Sequence, residues 1–178
     1  MKTWELTHLA LSYFSKFDIL NLIFSRILDI LEIDNLLGMD RLAELRLDNN
    51  IITRITGLET LVNITWLDLS FNLIEKIEGL DKLAKLTDLS LFSNRIVELS
   101  GLDNLPELNI LSVGSNKLVS LEDSVRYLMK LKNNLQVLRI DDNAFQKTSD
   151  KDYKKYAMSQ LSQLKYIDYK LIEESERT

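Results

Sequence analysis

Apolar and polar positions along this chain follow two periods in turn. Short runs alternate: Leu45-Arg46-Leu47, Leu67-Asp68-Leu69, Leu89-Ser90-Leu91, Leu111-Ser112-Val113 and Leu138-Arg139-Ile140. Alternation puts the flanking apolar residues on one face of a short strand and the residue between them on the other. After each of the first three runs the apolar period becomes three. Ile52, Ile55, Leu58 and Leu61 are followed by Ile74, Ile77, Leu80 and Leu83, then by Ile96, Leu99, Leu102 and Leu105. A period of three suits a tight 3₁₀-like return. An Asn closes each run, at 50, 72, 94 and 116, a constant spacing of 22, and a fifth closes the last run at 143, 27 residues on.

This is the leucine-rich repeat pattern at its 22-residue length. A single coil cannot bury its apolar face, but stacked coils bury one continuous core. The predicted fold is an α/β solenoid, with parallel strands on the concave face, 3₁₀ or helical returns on the convex side and a helical cap at each end. The Asn side chain carries two donors and an acceptor, so it can satisfy backbone groups that stacking hides from water. Those residues are expected to be structural. Gly57, Gly79 and Gly101 also recur every 22 residues. A turn needing positive φ or a close backbone approach explains them.

The ends depart from the period. Leu6, Leu9, Ala10, Tyr13, Phe14 and Phe17 follow the spacing of an amphipathic helix, expected to cap the first coil. Ile33-Asp34-Asn35-Leu36 aligns with Ile55-Thr56-Gly57-Leu58, which places a degenerate repeat at about 18–40. Its strand points either Leu22 and Phe24 or Ile23 and Ser25 inward. Ser120 to Asp123 reads as a capping box before a helical stripe of Val125, Leu128, Met129 and Leu131. Ser149 to Asp152 reads as another, before Tyr153, Ala157, Leu161 and Leu164 on one helical face. Tyr166-Ile167-Asp168-Tyr169 is then a final short strand. Three regions result: a cap and degenerate repeat over 1–40, repeats over 41–143 and a C-terminal cap over 144–178.

Composition narrows the chemistry. Leucine makes up about a fifth of the 178 residues, as the repeat requires. A net charge of −5 argues against nucleic acid, which needs a basic face. With no Cys and one His, the chain lacks a thiol nucleophile and a histidine metal cluster. No phosphate-binding loop is present, and Ser90 and Ser112 have no nearby His. The reading is therefore of a non-enzyme with no cofactor, metal or small-molecule substrate. Glu5, His8 and Lys16 interrupt any signal-peptide core, and Ile19–Ile33 is too short and charged to span a bilayer. No membrane association and a cytosolic or nuclear location are expected. The sequon Asn63-Ile64-Thr65 is then a coincidence.

Function on such a scaffold falls to the outward strand residues. They form three columns across the coils: Glu44, Trp66, Asp88, Ile110 and Val137; Arg46, Asp68, Ser90, Ser112 and Arg139; Asp48, Ser70, Phe92, Gly114 and Asp141. The strip would be roughly 25 Å long, enough for one helix or loop of a partner. Trp66, Phe92 and Ile110 are expected to come together, rimmed by Asp68, Asp88 and Ser90, with Arg46 and Arg139 beyond. An apolar centre with a polar rim is the anatomy of a protein-binding hot spot. The alternative is that Trp66 and Phe92 pack on each other and seal the sheet. Phe71, just before a repeat Asn, is expected to turn into the core. The surplus of acids over Arg46 and Arg139 favours a mildly basic partner segment.

The run from Leu45 to Ile96, the segment NLQVLRIDDNAF and the segment DYKKYAMSQLSQLKYIDYKLI resemble the leucine-rich repeat subunit, subunit three, of the nexin–dynein regulatory complex. WLDLSFN, LSLF-x-N and LKYIDYKLI are the most specific pieces, and the resemblance covers roughly 20–173. It implies a structural subunit of the ciliary or flagellar axoneme, docking coiled-coil and other subunits near the doublet microtubule and supporting control of dynein. Two features depart from that family. Ala144 stands where Pro usually follows the Asn, and the chain ends at Glu173–Thr178, where a coiled coil usually begins. Two alternative readings are a regulator that holds an enzyme, similar to the leucine-rich regulatory subunit of type-1 phosphatase, which is a much longer solenoid, and a dynein-associated leucine-rich light chain.

Overall fold

The computed structural model describes residues 21–23, 31, 33, 36, 38–131, 134–147 and 152–176. The N-terminal amphipathic helix, His8 and Ser149 lie outside the described residues. The first leucine of each of the five alternating runs centres a three-residue strand, β2 (Glu44–Arg46), β3 (Trp66–Asp68), β4 (Asp88–Ser90), β5 (Ile110–Ser112) and β6 (Val137–Arg139), and the degenerate repeat supplies β1 (Asn21–Ile23) before them. Two short strands follow, β7 (Tyr166–Ile167) and β8 (Lys170–Leu171). They form one sheet in chain order, parallel from β1 to β7, with β8 antiparallel to β7. Parallel order follows from identical coils stacked with one hand. In the pairing of β1 with β2, Leu22 stands level with Leu45 and Ile23 with Arg46.

The core is one continuous cluster. The leucines at 45, 67, 89, 111 and 138 are buried at the strand centres, and the three-step residues of the returns line the opposite wall. Ile33 and Leu36 join it as their alignment with Ile55 and Leu58 requires. Each of the three returns between β2 and β5 is a pair of tight turns rather than a continuous 3₁₀ helix. Leu61 N donates to Leu58 O and Ile64 N to Leu61 O, and the next two coils repeat both bonds. Gly79 and Gly101 satisfy both conditions for glycine: φ is +72° and +69°, and a Cβ would stand 2.4 and 2.3 Å from the carbonyl oxygens of Ile55 and Ile77 in the coil before.

The Asn ladder closes the other side. Asn94 Nδ2 donates to Leu91 O of its own coil and Leu69 O of the previous one, while its Oδ1 accepts from Ile74 N. Asn72, Asn116 and Asn143 repeat the scheme. The residue before each Asn is left-handed: Asn49, Phe71, Ser93, Ser115 and Asp142 have φ between 51° and 57°.

The fourth return is helix α1 (Leu121–Leu128), running on into a 3₁₀ turn over Met129–Leu131. Ser120 caps α1 by accepting from Asp123 N, while the Asp123 carboxylate accepts from Arg126. Met129 departs from the expected stripe. The α-helix ends at Leu128, so Met129 turns outward and is 40% exposed, while Leu121 and Ser124 are buried instead.

At the C-terminus helix α2 (Tyr153–Gln160) starts later than the expected capping box. Asp152 is itself the cap, accepting from Lys154 N and Lys155 N. The last strand is also shorter than expected. Asp168 and Tyr169 have φ of 46° and 67°. That matches the two-residue hairpin turn that needs positive φ at both centres. The chain reverses there, and β8 pairs back on β7.

Candidate functional site

The register places the outward residues in rows. Glu44, Trp66, Asp88, Ile110, Val137 and Tyr166 are successive partners in one row, and Leu171 continues it opposite Tyr166. Arg46, Asp68, Ser90, Ser112 and Arg139 form the second row. Backbone bonds beyond the strands, such as Phe71 N to Phe92 O and Ser93 N to Gly114 O, carry the register to the third.

The first row is apolar over the C-terminal coils. Ile110, Tyr166 and Leu171 are 37%, 41% and 55% exposed, and half-buried Val137 lies between the first two. The sequence columns end at Val137. Tyr166 could have been added by aligning Leu164-Lys165-Tyr166-Ile167 with Leu135-Gln136-Val137-Leu138. Leu171 could not, because only the hairpin brings it into line.

Trp66, Phe92 and Ile110 do not come together, and Trp66 and Phe92 do not stack. Trp66 and Phe92 belong to rows two apart. At about 6.8 Å between alternate residues of a strand, this separates them by ~14 Å along the strand direction. Asp88 separates Trp66 from Ile110. Trp66 instead lies beside the Arg46 guanidinium, with Cζ 5.1 Å from the ring centroid.

Phe92 anchors a second cluster. The Phe71 ring meets it edge-on at 5.4 Å, and the Arg139 guanidinium lies 3.5 Å from its centroid. Tyr169 faces the same guanidinium at 4.6 Å, and Arg139 Nε donates to Asp141 Oδ1 at 3.0 Å. Phe92 and Arg139 stand two coils apart. Gly114 occupies the coil between them, and a Cβ there would fall 3.2 Å from Phe92 and 2.4 Å from Asp141 Oδ1. Glycine is what lets the two side chains meet over that coil.

Phe71 corrects the expectation of a core residue. It is 49% exposed, because the left-handed turn aims its side chain out of the stack. A bulky aromatic in that conformation costs about 1–2 kcal/mol. The signal was present in the sequence: the same position holds Asn, Ser, Ser and Asp in the other coils, so Phe71 is the one apolar exception.

The predicted acids are held in fixed geometry. Asp68 Oδ1 accepts from Ser70 N and Ser70 Oγ. Asp88 Oδ2 accepts from Thr87 Oγ1. Ser90 is half-buried between Asp68 and Ser112. Asn63, the sequon residue, donates to Asp40 O and accepts from Lys85 Nζ. Where Leu69 N, Leu91 N and Val113 N donate to the next coil's Ser90 O, Ser112 O and Arg139 O, the last repeat uses the Asp168 side chain instead. Its Oδ1 accepts from Ile140 N and Asp141 N, and its Oδ2 accepts from Tyr153 Oη. Burial first, and that carboxylate second, push the Tyr153 phenol well above its ordinary range.

Among the described residues, no group of three or more His, Cys, Asp or Glu is placed to hold a metal ion. No helix among them is long and apolar enough to cross a membrane. The arrangement offers contact surface, anchored charges and rigid backbone.

A leucine-rich repeat family model matches residues 58–178. Among solved structures, an internalin (InlF) of Listeria monocytogenes is 31% identical with a TM-score of 0.66, the match covering 80% of this chain and 39% of that one. A chain of the Drosophila melanogaster SNF/U2A′ complex is 29% identical with a TM-score of 0.65, covering 75% and 76%. Internalin C2 of Listeria monocytogenes is 28% identical with a TM-score of 0.62, covering 78% and 56%. The chain thus spans well under half the length of the first of these. No curated protein sequence matches it.

Proposed function

The chain belongs to the leucine-rich repeat family, and from that premise we propose that it is a non-catalytic scaffold whose concave face docks another protein. The observation that carries this is the row of Ile110, Val137, Tyr166 and Leu171, in register on one face and partly open to solvent. Contiguous apolar side chains on a rigid sheet gain most when a partner removes them from water. Trp66 and Arg46 extend the face, and Phe71, Phe92, Arg139 and Tyr169 form its side wall. Aromatic and Arg side chains are the ones most enriched at binding hot spots. The SNF/U2A′ structure offers a precedent, being a complex with a similar chain in it.

The partner reading rests on the resemblance to subunit three of the nexin–dynein regulatory complex. It makes this chain a structural subunit of the axoneme that docks neighbouring subunits. Crosslinking mass spectrometry on native cilia tests it. The expected result is crosslinks from this chain to other subunits of that complex. Its recovery without any axonemal neighbour would overturn the assignment.

A further inference from the structure

Resting on the concave-face reading, we propose that the occupant is a single amphipathic α-helix lying across the strands, apolar over β5–β8 and basic over β2–β4. The chemistry of the face divides at β5. Over β2–β4 the first two rows present Glu44, Asp68 and Asp88 against one cation, Arg46. Over β5–β8 the first row is Ile110, Val137, Tyr166 and Leu171. The cation beside that stretch, Arg139, is already compensated by Asp141 and held between Phe92 and Tyr169. This end of the face is therefore apolar and close to neutral, while the other carries net negative charge.

The acids are preorganised. The Ser70 N–H and hydroxyl fix one oxygen of Asp68, and one oxygen of Asp88 lies 2.7 Å from the Thr87 hydroxyl, whose single hydrogen it shares with Thr65 O. Their second oxygens are left to accept from a partner without a further ordering cost. Their spacing selects a helix. Strands lie about 4.8 Å apart, and one helical turn rises about 5.4 Å. Side chains at i, i+4 and i+7 therefore meet successive strands. An extended segment repeats a face only every ~6.6 Å and falls out of step. From β2 to β8 the strip is about 29 Å, or roughly 19 residues of helix.

The test is selection of a displayed library of 20-residue helical peptides against the full-length chain. Recovered peptides are then titrated against the wild type, Ile110→Ser, and Asp68→Asn/Asp88→Asn, each checked for cooperative melting. The expected peptides carry Leu, Ile or Phe at i, i+3, i+4 and i+7 in one half and Lys or Arg in the other. Ile110→Ser should weaken binding about tenfold. Asp68→Asn/Asp88→Asn should weaken it about three- to tenfold at low salt, with the loss fading at high salt. Peptides that need Ile110 but show no basic half, or no helical spacing, overturn this inference and leave the concave face standing. Binding indifferent to every concave variant overturns both.

Discussion

The Arg139 guanidinium lies 3.5 Å from the centre of the Phe92 ring, although the two residues belong to coils separated by a third. The contact passes over Gly114, whose missing side chain is the room it uses. A desolvated cation over a ring contributes about 0.5–2 kcal/mol. A double-mutant cycle with Phe92→Ala and Arg139→Ala, read by urea unfolding, should return a coupling in that range. Additive losses would show that the contact contributes nothing in solution.

Phe71 combines a strained turn with an exposed ring. Phe71→Asn should relieve about 1 kcal/mol of left-handed strain and lose an edge-on contact of similar size. Its stability should stay within about 1 kcal/mol of wild type. Partner binding should fall. A large destabilisation with binding intact would make Phe71 a packing residue after all.

The ladder should be the most sensitive polar element. Asn94→Ala leaves Leu69 O, Leu91 O and Ile74 N without their side-chain partner inside the stack. At about 1–3 kcal/mol for a buried group left unsatisfied, a loss of at least about 2 kcal/mol is expected in chemical denaturation. Asn63→Ala removes exposed bonds and should cost under about 1 kcal/mol. Equal losses at the two sites would contradict the ladder's role.

Much of this was legible because the period is arithmetic. Spacing by 22 alone places Glu44, Trp66, Asp88 and Ile110 in one row, and the strands pair in that row. What escaped lies where the period breaks or conformation decides. Tyr166 follows a helix that interrupts the count, and Leu171 faces the row only after a hairpin reversal. Phe71 points outward because of a left-handed φ, which its own residue type conceals and only the Asn, Ser, Ser and Asp at the same position of the other coils betray. Trp66 and Phe92 are close in coil number, which suggests contact, but their rows are farther apart than neighbouring strands.

Tyr127 gives the fold an alkaline limit. Burial, followed by the nearby Asp103 carboxylate, raises its phenol to about 12 against an ordinary 10, opposed by the Leu102 N–H that donates to its oxygen. The folded value is the higher one, so the folded state favours the protonated phenol. This stability is complete below pH 10 and is lost as pH rises from 10 towards 12. Tyr127→Phe should remove this component of the alkaline transition, followed by melting temperature against pH. An unchanged transition would place the phenol outside the stabilising network.

The central claim is that the concave row docks a protein partner. The most direct measurement is quantitative co-purification of full-length wild type, Ile110→Ser/Tyr166→Ser and the convex variant Met129→Asp from ciliated cells, with melting curves for each. The account predicts that the concave variant melts like wild type and loses the partners wild type retains, while Met129→Asp keeps them all. Full retention by the concave variant, or loss confined to Met129→Asp, would contradict it.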